Sequence, residues 1–153
     1  MRRFSFQDTI VLVNGVELTG WDEGDDVIAI ARNNDSISHK TGASGEMMVS
    51  VSADKSGTAT FKLQQTSPSN RYLSQLMDAQ EAGGSQFVPI SFRFQDTYRQ
   101  DMASGAAGYL KRPSDMTRGA AGNTQEWAVV VERLDMLYGD VTPDAAAIFG
   151  LAQ

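Results

Sequence analysis

The chain contains no cysteine. That excludes a disulfide framework and thiolate metal sites, and it fits a protein assembled in a reducing compartment. Histidine is almost as scarce. His39 stands alone in a polar stretch, so no Ser-His-Asp arrangement can be built around it, and a solvated side chain is the plain reading. Long apolar runs are missing too: none approaches the roughly 18 residues of a membrane span. Met1-Arg-Arg-Phe-Ser-Phe-Gln-Asp8 carries charge without the apolar core of a signal peptide. Positive charge is in deficit, and a net charge of −6 argues against tight, sequence-independent nucleic-acid binding. It does not argue against a surface that nucleic acid slides past. Gly42-Ala-Ser-Gly45 and Gly105-Ala-Ala-Gly108 lack the Gly-Lys-Ser/Thr ending of a phosphate loop. Asp22, Glu23, Asp25 and Asp26 lack the ligand spacing of a calcium loop and read as a solvated acidic turn. Nothing in the sequence supports an enzyme, a metal or a cofactor.

What is present is a single domain's worth of chain, 153 residues at 41% hydrophobic content. In Thr58-Ala-Thr-Phe-Lys-Leu-Gln64, Ala59, Phe61 and Leu63 fall on one face and Thr58, Thr60, Lys62 and Gln64 on the other, the pattern of a half-buried strand. Ser67-Pro68 then opens a helix over about residues 68–82, with Tyr72, Leu73, Leu76, Met77 and Gln80 on one stripe and Gly83-Gly84 as its stop. Val88, Ile90, Phe92 and Phe94 alternate as the next strand. Upstream, a strand over residues 4–13, with Phe4, Phe6, Ile10 and Leu12 on one parity, turns at Asn14-Gly15 into Val16–Trp21. Val27-Ile-Ala-Ile-Ala31 is apolar on both parities, so both its faces should be covered, by the core or by a neighbouring subunit.

Residues 33–45 read as a long polar loop, of the kind that is functional or mobile in a small domain. Residues 46–52 alternate again, and Ala53-Asp-Lys-Ser-Gly57 reads as the turn that pairs them in a hairpin with the strand from Thr58. Residues 95–108 are polar and then small, and residues 113–123 form another loop. The last strand, residues 124–138, changes phase near Glu132-Arg133, which predicts a β-bulge. Thr142-Pro-Asp-Ala-Ala-Ala-Ile-Phe149 reads as a short terminal helix capped by Thr142, marginal on its own. Trp21 and Trp127 read as core anchors. The sum is a mainly β (α+β) domain, a β-sandwich or barrel of roughly seven strands with one flanking helix. Its excess of loops, arms and a doubly apolar strand suggests sheet borders finished by other copies.

The runs Val13-Asn-Gly-Val-Glu-Leu-Thr-Gly-Trp-Asp-Glu-Gly-Asp-Asp-Val27, Gly45-Glu-Met-Met-Val-Ser-Val-Ser-Ala-Asp-Lys-Ser-Gly57 and Gln64-Gln-Thr-Ser-Pro-Ser-Asn70 resemble the tail tube proteins of contractile-tailed bacteriophages. So do Asp115-Met-Thr-Arg-Gly119 and Asn123-Thr-Gln-Glu-Trp-Ala-Val-Val-Val-Glu-Arg-Leu-Asp-Met-Leu137. The resemblance implies one domain over residues 1–153 and a virion component assembled in the bacterial host cytoplasm. It implies hexameric rings stacked into a tube for genome delivery, with sheath, tape-measure and baseplate proteins as partners, DNA passing without specific binding, and no membrane anchor. Under it, Ser50, Ser52, Thr58, Thr60, Lys62 and Gln64 are expected to face the lumen, where Glu17 or Glu46 would offset Lys62. Phe4, Phe6, Ile37, His39, Lys40, Met102, Ile148 and Phe149 are expected between subunits, with residues 33–45 as an inter-subunit loop and 139–153 as a C-terminal arm. A secretion-system ring protein and a monomeric β-rich binding module using Trp21 or Trp127 are the alternatives.

Overall fold

In the computed structural model, which describes residues 5–139, Asn14 and Gly15 both take positive φ (52° and 83°) and fold β1 (Thr9–Val13) back onto β2 (Val16–Glu17). The remaining strands are β3 (Ile28–Arg32), β4 (Ile37–Thr41), β5 (Met47–Val51), β6 (Gly57–Gln64), β7 (Ile90–Asp96), β8 (Met102–Leu110) and β9 (Thr124–Leu137). One helix, α1 (Ser69–Gly83), lies between β6 and β7. Seven strands make one antiparallel sheet in the order β2-β1-β7-β8-β9-β6-β3, and β4 and β5 pair only with each other. The fold is therefore mostly β with one helix, as the periodicity predicts.

The sheet curls until its two sides meet. Beyond β2, Leu18 N–H donates to Val11 O (2.9 Å), Gln64 N–H donates to Gly20 O (2.9 Å) and Asp22 N–H donates to Lys62 O (3.1 Å). The segment from Leu18 to Asp22 is thus bonded first to β1 and then to β6, and an isolated bridge joins Trp21 to Leu63. Side chains from opposite sides fill the enclosed space. Phe61 on β6 meets Phe92 on β7 at a centroid distance of 5.6 Å, and Trp21 stands edge-on to Phe61 at 6.0 Å. Trp127 is buried, and Trp21, partly buried, packs against the same core, as expected of anchors.

The alternation in β6 holds throughout: Ala59, Phe61 and Leu63 are buried and the intervening residues are not. The helix covers this core with Leu73 and Met77. Ser67 Oγ accepts from Ser69 N–H and donates to Thr19 O, which starts the helix and fastens it to the chain leaving β2. Tyr72 Oη donates to Val13 O (2.9 Å), and burial pushes its phenol above the ordinary pKa. Gly84, at φ 53°, ends the helix.

Several local expectations are corrected. Residues 33–45 are not one loop, because Ile37–Thr41 is strand β4. Residues 46–52 do not pair with the strand from Thr58. β5 pairs with β4, whereas β6 lies between β3 and β9. The turn is instead at 42–45, where Gly42 N–H donates to Glu46 O (2.7 Å) and Gly45 takes φ 88°. Residues 102–110 form β8, in the middle of the sheet. At the N-terminal end Phe6–Asp8 is a 3-10 turn, and the buried parity of β1 is Val11 and Val13. β3 is an edge strand, and among the described residues Ala29 and Ala31 are exposed, so of the two covers expected for it the core supplies one face only.

The phase change in β9 is real. Gly57 stands opposite Val131, yet Leu134 N–H donates to Lys55 O (2.8 Å), so three steps along β9 match two along the partner. Val131 and Leu134 are both buried as a result. Phe4, Ile148, Phe149 and the arm and helix expected after Gly139 lie outside the described residues.

Candidate functional site

Strands β4 and β5 form a hairpin in which every residue is exposed. The register pairs Ile37 with Val51, His39 with Val49 and Thr41 with Met47. By strand alternation these six side chains share one face, while Ser38, Lys40, Met48 and Ser50 share the other. The first face is apolar and open to solvent: Ile37 is 64% exposed, Val51 72%, Met47 63% and Val49 54%. Isolated two-stranded hairpins are marginal in water. This one is complete in itself yet buries nothing.

Its base, in contrast, is tightly bonded. Ser52 N–H donates to Ser36 O (2.8 Å) and Asn33 N–H to Ser56 O (3.0 Å), continuing the two strands toward the body. Arg32 donates from Nε and Nη2 to Leu134 O (3.1 and 2.9 Å) and from Nη1 to Ser36 Oγ (2.9 Å). Asn33 Oδ1 accepts from Thr58 Oγ1 (2.7 Å), and Asn34 Nδ2 donates to Asp54 Oδ2. Hydrogen bonds from the Ser56 backbone, the Ser56 side chain and Asn34 hold the Asp54 carboxyl below its ordinary pKa. Polar bonds of this kind fix direction, so the hairpin is aimed although its faces stay exposed among the described residues.

The second surface is the outer face of β6 and its neighbours. Thr58, Thr60, Lys62 and Gln64 lie on it opposite Val130, Ala128, Glu126 and Thr124 of β9. On the β3 side, Thr58 and Thr60 stand opposite Ala31 and Ala29. The face is short and mostly uncharged, and Glu126, rather than Glu17 or Glu46, is the acid opposite Lys62. A cleft of about 400 Å³ opens over Thr58, Thr60 and Glu126 beneath Lys111 and Arg112.

The residues expected in the lumen are therefore split. Thr58, Thr60, Lys62 and Gln64 stay together, but Ser50 belongs to the projecting hairpin and Ser52 to its base. Among the residues expected between subunits, Ile37 and His39 share the hairpin's apolar face and Lys40 lies on its other face. Phe6 packs edge-on to Trp21 at 5.9 Å, and Met102 is half-buried opposite Leu137 of β9. Sequence reasoning missed the hairpin as a unit and missed Asn33, Asn34 and Asp54 as its fastening. The Gly42 and Gly45 turn was the available signal.

Among the described residues no group of three or more His, Asp or Glu side chains is placed to hold a metal ion. No helix there is long and apolar enough to cross a membrane.

Solved structures similar to this fold include parts of an extracellular contractile injection system. The chain is similar to a protein of the sheath/tube terminator of an extracellular contractile injection system, PVC, at a TM-score of 0.60 and 12% identity, covering 90% of this chain and 98% of that one. It is similar to one from the extended sheath-tube complex of the same system (TM-score 0.58, 12% identity, 89% and 92% covered). It also resembles the tube-terminating cap of the anti-feeding prophage (TM-score 0.56, 10% identity, 91% and 93% covered). No curated protein sequence matches the chain. Over residues 1–139 the sequence matches the bacteriophage PhiTE tail tube protein family, and the chain belongs to that family, whose members are structural components of the phage tail.

Proposed function

We propose that copies of this chain close into rings, six-fold as the family resemblance implies, and that the rings stack into the tube through which the phage genome leaves. The observation that carries this reading is the projecting hairpin. A subunit that has packed its own core still presents four large apolar side chains on an element that, among the described residues, is bonded to the body at its base alone. Such a face is stable in water only if something covers it, and in a tube the abundant partner is a second copy.

The open edge of β3 supports the same reading. An unpaired strand edge invites pairing, and a ring uses that edge deliberately where a monomer would have to blunt it. The outer face of β6 is the proposed bore wall. Hydroxyls and alanines give a duplex little to grip, Glu126 stands opposite Lys62, and the chain's net charge of −6 repels phosphates. The sheath would surround the tube, with tape-measure and baseplate proteins at its lumen and end. Assembly would take place in the host cytoplasm.

The test is to replace Ile37 and Val49 together by serine. Each side chain is worth about 1.5–3 kcal/mol when fully buried, so losing the pair weakens each docked hairpin by about a hundredfold or more. Thermal unfolding of the subunit should hardly change, since neither residue belongs to the core. Sedimentation and negative-stain images should show the variant failing to form tubes where the parent chain does. Tubes growing at the parent's concentration would remove the hairpin from the assembly.

A further inference from the structure

We propose that Arg32 is a positioning residue for assembly: it pins the angle at which the β4–β5 hairpin leaves the sheet, and so the direction in which one copy reaches the next. That direction matters under the docking role proposed above for the hairpin, on which the inference rests. The angle itself is set by bonds within one chain.

The hairpin joins the sheet through a neck of two irregular segments, residues 33–36 on the way out and 52–56 on the way back. Asn33 N–H donates to Ser56 O, Ser52 N–H donates to Ser36 O, and Asn34 bonds Asp54. These bonds hold the two segments to each other. Thr58 Oγ1 donates to Asn33 Oδ1, at the sheet end of the neck. None of them stops the two segments from bending together, as short irregular connections do at hinges.

Both segments are tied to one residue of β9. Leu134 N–H donates to Lys55 O (2.8 Å), and Leu134 O accepts from Nε and Nη2 of Arg32 (3.1 and 2.9 Å). With Gly57 opposite Val131, an unbroken register would bring Arg133 level with Lys55; the extra residue in β9 brings Leu134 there instead. Its side chain is 0% exposed and lies where a Cβ on Gly57 would collide with it, so the anchor belongs to the core.

Arg32 extends this anchor into the neck. Its Nη1 donates to Ser36 Oγ (2.9 Å), at the end of the outgoing segment where the hairpin's pairing begins. A guanidinium is flat and rigid, so three donors from one group fix Ser36 relative to Leu134 in direction as well as distance. Among the described residues no other side chain bonds both β9 and the neck. A hairpin held in this way meets a neighbour already aimed. If a loosened one spends about a tenth of its time at the parent's angle, the concentration needed for assembly rises about tenfold.

The chain has no cysteine, so two introduced ones carry spin labels at chosen places. Lys40→Cys on the hairpin and Asp78→Cys on the exposed side of α1 report the angle as a distance, read by double electron–electron resonance below the assembly concentration. The labelled parent should give one narrow distance. Arg32→Met, which keeps the stem and removes the donors, should broaden or shift it. So should Ser36→Ala, which leaves Arg32 on Leu134 O and cuts only the bond into the neck. An arginine that merely steadied β3 against β9 would not respond to that second change. Without labels, both variants should need about tenfold more protein to assemble in sedimentation runs.

A parent with a broad distance, or a Ser36→Ala chain with the parent's narrow one, overturns the inference and leaves the docking role to the Ile37 and Val49 test. Variants whose hairpins swing loose yet assemble at the parent's concentration would remove the hairpin's aim from assembly, and the inference with it. The docking role fails separately, if Ile37→Ser with Val49→Ser assembles as the parent does.

Discussion

Gln80 is the residue whose chemistry is most at odds with its place. It ends the apolar stripe of α1 and is buried to 7% exposure, where a leucine would be the ordinary choice. Its amide answers three backbone groups at once. Nε2 donates to Val88 O (3.2 Å) and Gly108 O (3.3 Å), and Oε1 accepts from Leu110 N–H (3.0 Å). One side chain thereby satisfies the chain leading into β7 and the end of β8 and ties both to the helix. Gln80→Leu keeps the volume but leaves buried donors and acceptors without partners, at about 1–3 kcal/mol for each group that water cannot reach. We expect a loss of about 2–3 kcal/mol, seen as a lower urea midpoint with an unchanged slope. A variant as stable as the parent would show that water replaces the amide. The polar end of an otherwise apolar stripe was visible in the sequence. What it bonded was not, because its partners are backbone atoms 8 to 30 positions away.

Among the elements, β8 shows what periodicity cannot report. Met102-Ala-Ser-Gly-Ala-Ala-Gly-Tyr-Leu110 has none of the branched residues that mark a strand, yet it lies between β7 and β9. Smallness is the requirement there: a Cβ on Gly105 would meet the Val131 side chain at 2.5 Å, and one on Gly108 would meet Val130 O at 2.9 Å. The β4–β5 hairpin was half legible. Residues 46–52 alternate clearly, but Ile37-Ser-His-Lys-Thr41 offers a single large apolar residue and reads as loop. The polar, glycine-ended turn at 53–57 then looked like the hairpin bend, when it is the return from the hairpin's base to β6. Strands β6 and β9, α1 and the Asn14-Gly15 turn were legible because each carries its signal locally. The base network also has its own acid limit. Because the folded-state pKa of Asp54 is lowered, its contribution is complete above the unfolded value near 3.8 and is lost as pH falls below it. The Ser56 amide, which donates to Asp54 Oδ1 at 3.0 Å, should therefore keep its chemical shift from pH 8 to 5 and titrate below pH 4. A midpoint at or above the ordinary carboxylate value would show that the network does not hold the ion.

For the whole molecule, the proposed tube reading raises the question of which surface a passing genome would meet. The candidates differ in chemistry. The hairpin is apolar on one face, and the rim around β8 and β9 carries Arg93, Arg133 and Asp135, the last two ion-paired at 3.2 Å while remaining mostly exposed. Among the described surfaces, the outer face of β6 combines hydroxyls, alanines and an acid opposite its lysine, with Lys111 and Arg112 lining the cleft beside it. A bore must let a polyanion pass without holding it, and every added cation gives phosphates a counterion to displace. Thr60→Lys, Gln64→Lys and Thr124→Lys place three such cations per subunit on this face. Introduced into a phage lacking its own tube protein, the triple variant should give particles at normal yield. Its DNA release should be slowed several-fold at low salt and largely restored by added salt, since phosphate contacts weaken steeply with ionic strength. Salt rescue separates an electrostatic brake from a narrowed bore, which salt would not relieve. Normal release at low salt from fully assembled particles would place the DNA path along a different face of the subunit.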